Sequence, residues 1–131
     1  MSHFARVRTV MKDREALKQA LAALNYQCEE GNCAIRGWSE TERAELKIPG
    51  QSYDIGFRMA GDVYEAVADW WGVQRDGSLK SRVASEQQFV AEVTQRYGYV
   101  KAVALLEESG YQVTEQHEEE GELVLEAVRY Y

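Results

Sequence analysis

Two aspartates are the residues whose type and spacing could do chemistry. Asp54 stands in "YDIGF" and Asp69 in "VADWWG". If segments 53–59 and 63–69 are strands paired around Gly61, residues whose numbers sum to 122 or 123 face each other, and Asp54 falls near Asp69. Two carboxylates that close would raise the pKa of one of them, as acid–base catalysis or metal binding requires. Asp54 and Asp69 are therefore the candidate catalytic residues of a weak hydrolase or small-molecule site. In the alternative interpretation, Asp69 caps a loop or pairs with Arg36 or Arg58.

Aromatic residues surround these carboxylates. Side chains alternate along a strand, so Trp70 and Trp71 must face opposite sides of the sheet unless the strand has already ended. One indole can then fill the core, while the other lies on the opposite face, where an exposed tryptophan is a good anchor for a partner protein. In the alternative, both pack within the chain with help from the 72–84 segment. The candidate binding residues are Tyr53, Tyr64, Asp69, Trp70 and Trp71.

The two cysteines, Cys28 and Cys33, stand in "CEEGNC" with Gly31-Asn32 between them. This spacing predicts that they flank a hairpin turn, where a cross-strand disulfide or redox pair is conceivable. In a reducing compartment the same pair is simply two thiols. Two cysteines are too few for a closed zinc site, and His3 and His117 have no short spacing to them. The sequence predicts neither a metal nor a cofactor.

Periodicity supplies the elements that must position these residues. The pattern predicts a strand over 4–10, a helix over 13–24 with Asp13 as N-cap and Asn25 ending it, and a hairpin of 26–29 with 34–38. Strands follow at 44–48, 53–59 and 63–69, then an exposed, movable loop over 72–84. Ser85 opens a second helix that ends before Ser109-Gly110, and strands 111–115 and 123–129 flank an acidic turn. This order predicts an α+β fold: two helices packed on one face of a mainly antiparallel sheet, ferredoxin-like with an inserted hairpin.

Composition limits the class of protein. The 131 residues fit a single domain, 1–131, and 45% apolar with 28% charged residues is typical of globular chains. No apolar run approaches the roughly 20 residues that span a bilayer, and charge arrives too early for a secretion signal, so we expect a cytoplasmic protein. The net charge of −7 disfavours binding along a phosphate backbone. The acidic 115–122 segment is either a solvated hairpin tip or a docking surface for a basic partner.

Several short motifs in one order resemble a known family. "MSHF", "EEGN" followed by "IRGW", "YDIGF" and "VADWWG" resemble domain-of-unknown-function family 1257, similar to a hypothetical chloroplast open reading frame of algal plastids and its cyanobacterial relatives. The resemblance covers nearly the whole chain and implies a small cytoplasmic or stromal protein. It implies no activity, cofactor or catalytic residue. It does imply a partner candidate, an AAA-type ATPase, because relatives are often encoded near one.

Three functions follow as hypotheses. The leading one is a non-enzymatic accessory module that docks on a larger protein through the Trp70/Trp71 region. The second is a small-molecule-binding protein or weak hydrolase that uses Asp54 and Asp69, although no triad order, phosphate-binding glycine loop or histidine pair supports an enzyme. The third is self-association, with a homodimer burying the second indole.

Overall fold

The computed structural model describes residues 4–129, without the side chain of Leu123. His3, Tyr130 and Tyr131 lie outside this range. The elements in chain order are β1 (Ala5–Arg8), α1 (Arg14–Ala23), β2 (Glu29–Arg36), β3 (Thr41–Ile48), β4 (Ile55–Ala60), β5 (Val63–Ala68), α2 (Trp70–Val73), α3 (Glu86–Glu108), β6 (Tyr111–Glu119) and β7 (Glu122–Arg129). Among the described residues, no helix is long and apolar enough to cross a membrane.

The predicted α+β class is confirmed. A five-stranded antiparallel sheet has the order β1-β5-β4-β3-β2. The helices share one core with it, in which Leu17 of α1 and Phe89 of α3 meet Phe57 of β4. The strand order departs from a ferredoxin-like sheet, because β1 is an edge strand and β6 pairs with β7 in a separate two-stranded sheet. That hairpin contacts α3, where the side-chain amide of Gln95 donates to the carbonyl of Gly121 at 2.6 Å.

Local signals fixed the helix ends as predicted. The Asp13 carboxylate accepts from the backbone N–H of Ala16 at 3.2 Å, and the Ser85 hydroxyl accepts from that of Gln88 at 3.1 Å. Each satisfies a donor that the first helical turn leaves free. After α1 the chain takes a left-handed conformation at Asn25, with φ of 64°. An asparagine tolerates this conformation better than most residues, so the helix ends there.

The pairing of β4 with β5 is also confirmed. Ile55 faces Ala68 and Ala60 faces Val63, so paired residues sum to 123. The turn between them passes through Gly61 with φ of +69°, which glycine adopts without strain. Extending this register by one residue places Asp54 opposite Asp69, at the end of the sheet where β4 begins and β5 ends.

The hairpin predicted around Gly31-Asn32 is wrong. Residues 29–36 form one edge strand, β2, that pairs with β3 on both sides of an irregularity between Glu30 and Cys33. Gly31 has φ of +138°, so the glycine serves a bulge rather than a chain reversal. A Gly-Asn pair is compatible with both, and only pairing with β3 decides between them.

The 72–84 segment differs from the predicted exposed, movable loop. It buries Val73, Leu79 and Val83 in the core beside Phe89. The guanidinium of Arg82 lies 3.9 Å above the centroid of the Tyr26 ring and donates to the carbonyl of Asn25 at 3.1 Å. Three apolar residues among many polar ones are enough to anchor this segment over the end of the core.

Candidate functional site

The candidate carboxylates lie at one end of the five-stranded sheet, where the last residues of β2 cross the start of β4 and the end of β5. Asp54 and Asp69 are almost fully buried. The backbone N–H of Arg36 donates to Asp54 at 2.8 Å, and the backbone N–H of Trp38, two residues later, donates to Asp69 at 3.0 Å. The end of β2 is therefore joined to both carboxylates.

Asp54 forms an ion pair with Arg36. The guanidinium of Arg36 donates to both carboxylate oxygens at 2.8 Å, and the backbone N–H of Gly50 donates to Oδ1 at 3.1 Å. The ammonium of Lys47 lies 3.8 Å from Oδ2. Burial by itself would raise the pKa of Asp54, but the hydrogen bonds from Arg36 and Gly50 outweigh it, so the pKa is lowered. This direction is opposite to the raised pKa that a general acid near neutral pH needs.

Asp69 caps the short helix α2. Its Oδ1 accepts from the backbone N–H of Gly72 at 3.2 Å, while Oδ2 accepts from Trp38. The strand therefore ends at Ala68, and the two tryptophans that follow belong to a helical turn. One buried carboxylate thus fixes both the loop after β2 and the start of α2.

The two adjacent tryptophans have opposite environments. Trp70 is only 5% exposed, packs against the Phe89 ring at 5.9 Å between centroids, and donates from Nε1 to the carbonyl of Ala5 at 3.2 Å. Trp71 is 48% exposed. The guanidinium of Arg75 lies 4.2 Å from the Trp71 ring centroid, and Arg75 also donates to the carbonyl of Trp71 at 2.9 Å. Trp71 lies at the surface, and Trp70 is part of the core.

The two candidate tyrosines are less accessible than Trp71. Tyr64 is 1% exposed, and its hydroxyl accepts from Nε of Arg14 at 2.9 Å. Tyr53 is half-buried, with its ring so close to Gly72 that a Cβ there would lie 2.1 Å from the ring. Both residues support the neighbouring segments, and Tyr53 lies directly beneath the start of α2.

A residue that sequence reasoning missed, Asp76, fixes the loop before Asp54. Its buried carboxylate accepts from the consecutive backbone N–H groups of Gln51, Ser52 and Tyr53 at 3.1, 2.7 and 3.0 Å. Burial alone would raise the pKa of Asp76, but these backbone donors and Ser78 lower it well below its usual range. An aspartate followed by glycine and serine typically forms such a turn, which was the available signal.

Trp38 is the second residue that sequence reasoning missed. It follows β2 in the loop before β3 and is 64% exposed. Gly37 beside it is covered, because a Cβ there would lie 2.7 Å from the Phe4 ring and 3.3 Å from Cβ of Asp69. The available signal was a tryptophan between the turn residues Gly37 and Ser39. We call Trp38, Trp71 and Arg75 the tryptophan surface.

The two cysteines belong to the β2 region but not to the carboxylate site. Both are free thiols and partly buried, with Cys28 just before the strand and Cys33 within it after the bulge. Burial raises the pKa of the Cys28 thiol, which lowers its nucleophilic reactivity at neutral pH. In residues 4–129, no three His, Cys, Asp or Glu side chains are grouped so that they could hold a metal ion.

Comparison with known proteins places the chain in a family. A sequence profile described as "Protein of unknown function (DUF1257)" matches residues 20–125. The "Uncharacterized protein ycf35" of Guillardia theta is 31% identical over 133 residues, which cover 99% of this chain and 98% of that protein. The protein of the same description from Cyanophora paradoxa is 25% identical over 135 residues, with the same coverage. No solved structure matches the chain significantly. The chain belongs to the DUF1257 family.

Proposed function

We propose that this chain is a non-enzymatic module that docks on a larger protein through the tryptophan surface. One observation carries the proposal. The segments that bear the exposed indoles of Trp38 and Trp71 are held by the two oxygens of one buried carboxylate, that of Asp69. Exposed aromatic side chains on a rigid support lose little entropy on binding, which makes them effective anchors.

The charges around the indoles indicate the partner's chemistry. Arg75 covers part of the Trp71 ring and keeps its charge at the surface. The side chain of Arg36 is 45% exposed, although its guanidinium is paired with Asp54. A matching partner surface therefore presents an apolar side chain to the indoles and a carboxylate to Arg75. The AAA-type ATPase implied by the family resemblance is our named candidate, in the cytoplasm or plastid stroma.

The described contacts of Asp54 favour the docking function over the hydrolase alternative. The carboxylate of Asp54 is paired with Arg36 and has a lowered pKa. Three cavities along α3 and the β6–β7 hairpin have neither Asp54 nor Asp69 in their lining. No observation on the described residues singles out a substrate, so we propose no second function.

The test is capture of the partner with matched variants. Tagged wild-type chain, Trp71→Ala, Trp38→Ala and Val10→Ala are used as baits, and the ATPase is then tested as a purified protein by calorimetry. Val10 is the control because it is also exposed, at 73%, but lies before α1. We expect each tryptophan variant to weaken binding by about tenfold or more, the level of a hot-spot residue, and Val10→Ala to bind normally.

Equal binding by all four proteins would contradict the assignment to the tryptophan surface. Binding of a protein other than the ATPase, lost on Trp71→Ala, would keep the docking function and replace the partner.

A further inference from the structure

Helix α3 carries an open groove outside the tryptophan surface. Gly98 lies in the middle of the helix, and a Cβ built on it would meet nothing within 4 Å. A glycine inside a helix costs about 1 kcal/mol relative to alanine, and no close packing within the described chain requires it here. Two turns further on, Leu105 is 64% exposed. The groove has a volume of about 410 Å³ and is lined by Gly98, Lys101, Ala102, Ala104, Leu105 and Glu108.

The other faces of α3 are already occupied. Phe89 and Val93 enter the core, and the hydroxyl of Tyr97 accepts from the backbone N–H groups of Lys12 and Asp13. A second face meets the β6–β7 hairpin through Gln95. The groove lies beside this second face, because Gly98 and Ala102 line both the groove and a cavity against Glu122 and Leu125 of β7. Leu105 projects on the side of the groove that faces away from the hairpin.

This face is complementary to itself. Ala102 lies three residues before Leu105, on the same side of the helix. If a second α3 runs antiparallel, the Leu105 of each helix fits over the small residues Ala102 and Gly98 of the other. A two-fold axis makes the contact twice, as an isologous interface requires.

The charges on the groove rim agree with this arrangement. Lys101 and Glu108 lie on one side of the groove, seven residues or about 10.5 Å apart. In the antiparallel pair, Lys101 of each chain comes close to Glu108 of the other. Two equivalent ion pairs, each between a lysine and a glutamate, therefore close the rim. Lys101 also donates to Asp13 of its own chain at 3.1 Å, so in the dimer its ammonium is shared between Asp13 and the Glu108 of the other chain.

The net charge of the protein does not oppose the contact. Residues 1–85 contain 12 basic and 12 acidic residues, whereas residues 86–131 contain 3 basic and 10 acidic ones, so the excess of −7 lies on α3 and the last hairpin. The hairpin turn contacts α3 at Gln95, which precedes every residue of the groove. Antiparallel helices would therefore hold the two acidic turns about 25 Å apart, beyond the Debye length of about 8 Å.

We propose that the α3 groove binds the α3 groove of a second copy of this chain, in a two-fold symmetric dimer. This interface leaves the tryptophan surface free, so it goes beyond the docking function and does not depend on it.

Sedimentation equilibrium of the full chain over a range of micromolar concentrations tests the proposal. We expect the wild type to approach twice the monomer mass of 14.9 kDa. Leu105→Glu places a carboxylate in the contact and should raise the dimer dissociation constant by about a hundredfold or more. The control is Val10→Glu, which introduces the same charge at another exposed apolar residue and should leave the mass unchanged.

A charge exchange then tests the pairing itself. Glu108→Lys sets one lysine against Lys101 of the other chain at each of the two symmetric contacts and should weaken the dimer by about tenfold, and Lys101→Glu combined with Glu108→Lys should restore it. Circular dichroism verifies the helix in each variant. A monomeric wild type, a dimer unaffected by Leu105→Glu, a dimer lost on Val10→Glu, or a double variant no better than Glu108→Lys would each overturn the proposal.

Discussion

The backbone N–H of Trp38 donates a 3.0 Å hydrogen bond to Oδ2 of Asp69, thirty-one residues along the chain. The other oxygen of Asp69 caps α2 at Gly72. The positions of both exposed indoles therefore depend on a carboxylate that is itself buried.

Asp69→Ala should loosen both segments. It leaves two backbone donors without this acceptor, and each buried donor left unpaired costs about 1–3 kcal/mol. We expect the free energy of unfolding in urea to fall by about 2 kcal/mol or more, with a smaller loss for Asp69→Asn, which keeps one acceptor oxygen. Equal stability of Asp69→Ala and wild type would show that Asp69 does not hold these segments.

The two neighbouring tryptophans should separate stability from binding. Trp70→Ala removes a core indole and should cost about 3–5 kcal/mol. Trp71→Ala removes an exposed indole and its contact with Arg75, which is worth about 1 kcal/mol or less. Urea denaturation measures both, and acrylamide quenching of the tryptophan fluorescence should decrease in Trp71→Ala. A larger stability loss for Trp71→Ala than for Trp70→Ala would contradict the assignment of core and surface.

Asp54 and Asp76 should make the protein sensitive to acid. The pKa of each is lower in the folded chain than in an unfolded one. A carboxyl of this kind contributes stability above its unfolded pKa, about 4, and the contribution is lost as the pH falls through the folded pKa. We expect Asp76→Asn to be less stable at neutral pH and to lose less stability below about pH 4 than the wild type. Urea titrations at a series of pH values measure this, and an unchanged acid dependence in Asp76→Asn would count against it.

Two glycines should respond to alanine in opposite directions. Gly72→Ala places a Cβ 2.1 Å from the Tyr53 ring, and such overpacking typically costs about 1–3 kcal/mol. Gly98→Ala meets no neighbour within 4 Å and should stabilise α3 by up to about 1 kcal/mol. Thermal unfolding should be compared at a concentration where both variants are monomeric. A lower melting temperature for Gly98→Ala would indicate a strain that the described contacts do not contain.

The last hairpin contains an unfavourable pair of charges. Glu115 and Glu126 face each other across β6 and β7, and the Glu115 carboxyl raises the pKa of Glu126. Like charges opposed in this way destabilise a sheet at neutral pH, and this penalty disappears as the pH falls through the raised pKa of Glu126.

Glu126→Gln should therefore raise the melting temperature at pH 7 and have little effect in acid. Glu107→Gln, which removes one negative charge from α3, is the control for net charge. A Glu126→Gln variant no more stable than the Glu107→Gln control would contradict the pairing.

Some of this protein was determined by the sequence alone. Asp13 and Ser85 began the helices, Asn25 ended α1, and Gly61 set the register of β4 and β5, because each of these signals acts over a few residues. The α+β class followed from their order, and short motifs in sequence were sufficient to indicate the family. Alternation along a strand predicts opposite sides for two adjacent tryptophans unless the strand has ended, and the end of β5 at Ala68 is set by the contacts of Asp69 with Gly72 and Trp38.

The tertiary structure decided the rest. Whether Gly31-Asn32 formed a turn or a bulge depended on β3. Because β3 pairs with residues on both sides of Gly31-Asn32, these two residues stay within one strand as a bulge. The backbone of Trp38 became tied to Asp69, and Asp54 became the partner of Arg36, through contacts between segments 18 to 31 residues apart. Hydrophobic periodicity carries no information about which loops meet, because a hydrogen bond between distant segments leaves no local pattern in either of them. The sequence therefore indicated Asp54, Asp69 and Trp71 as site residues but not Trp38 or Asp76. The geometry of the site was set by the packing of the whole sheet.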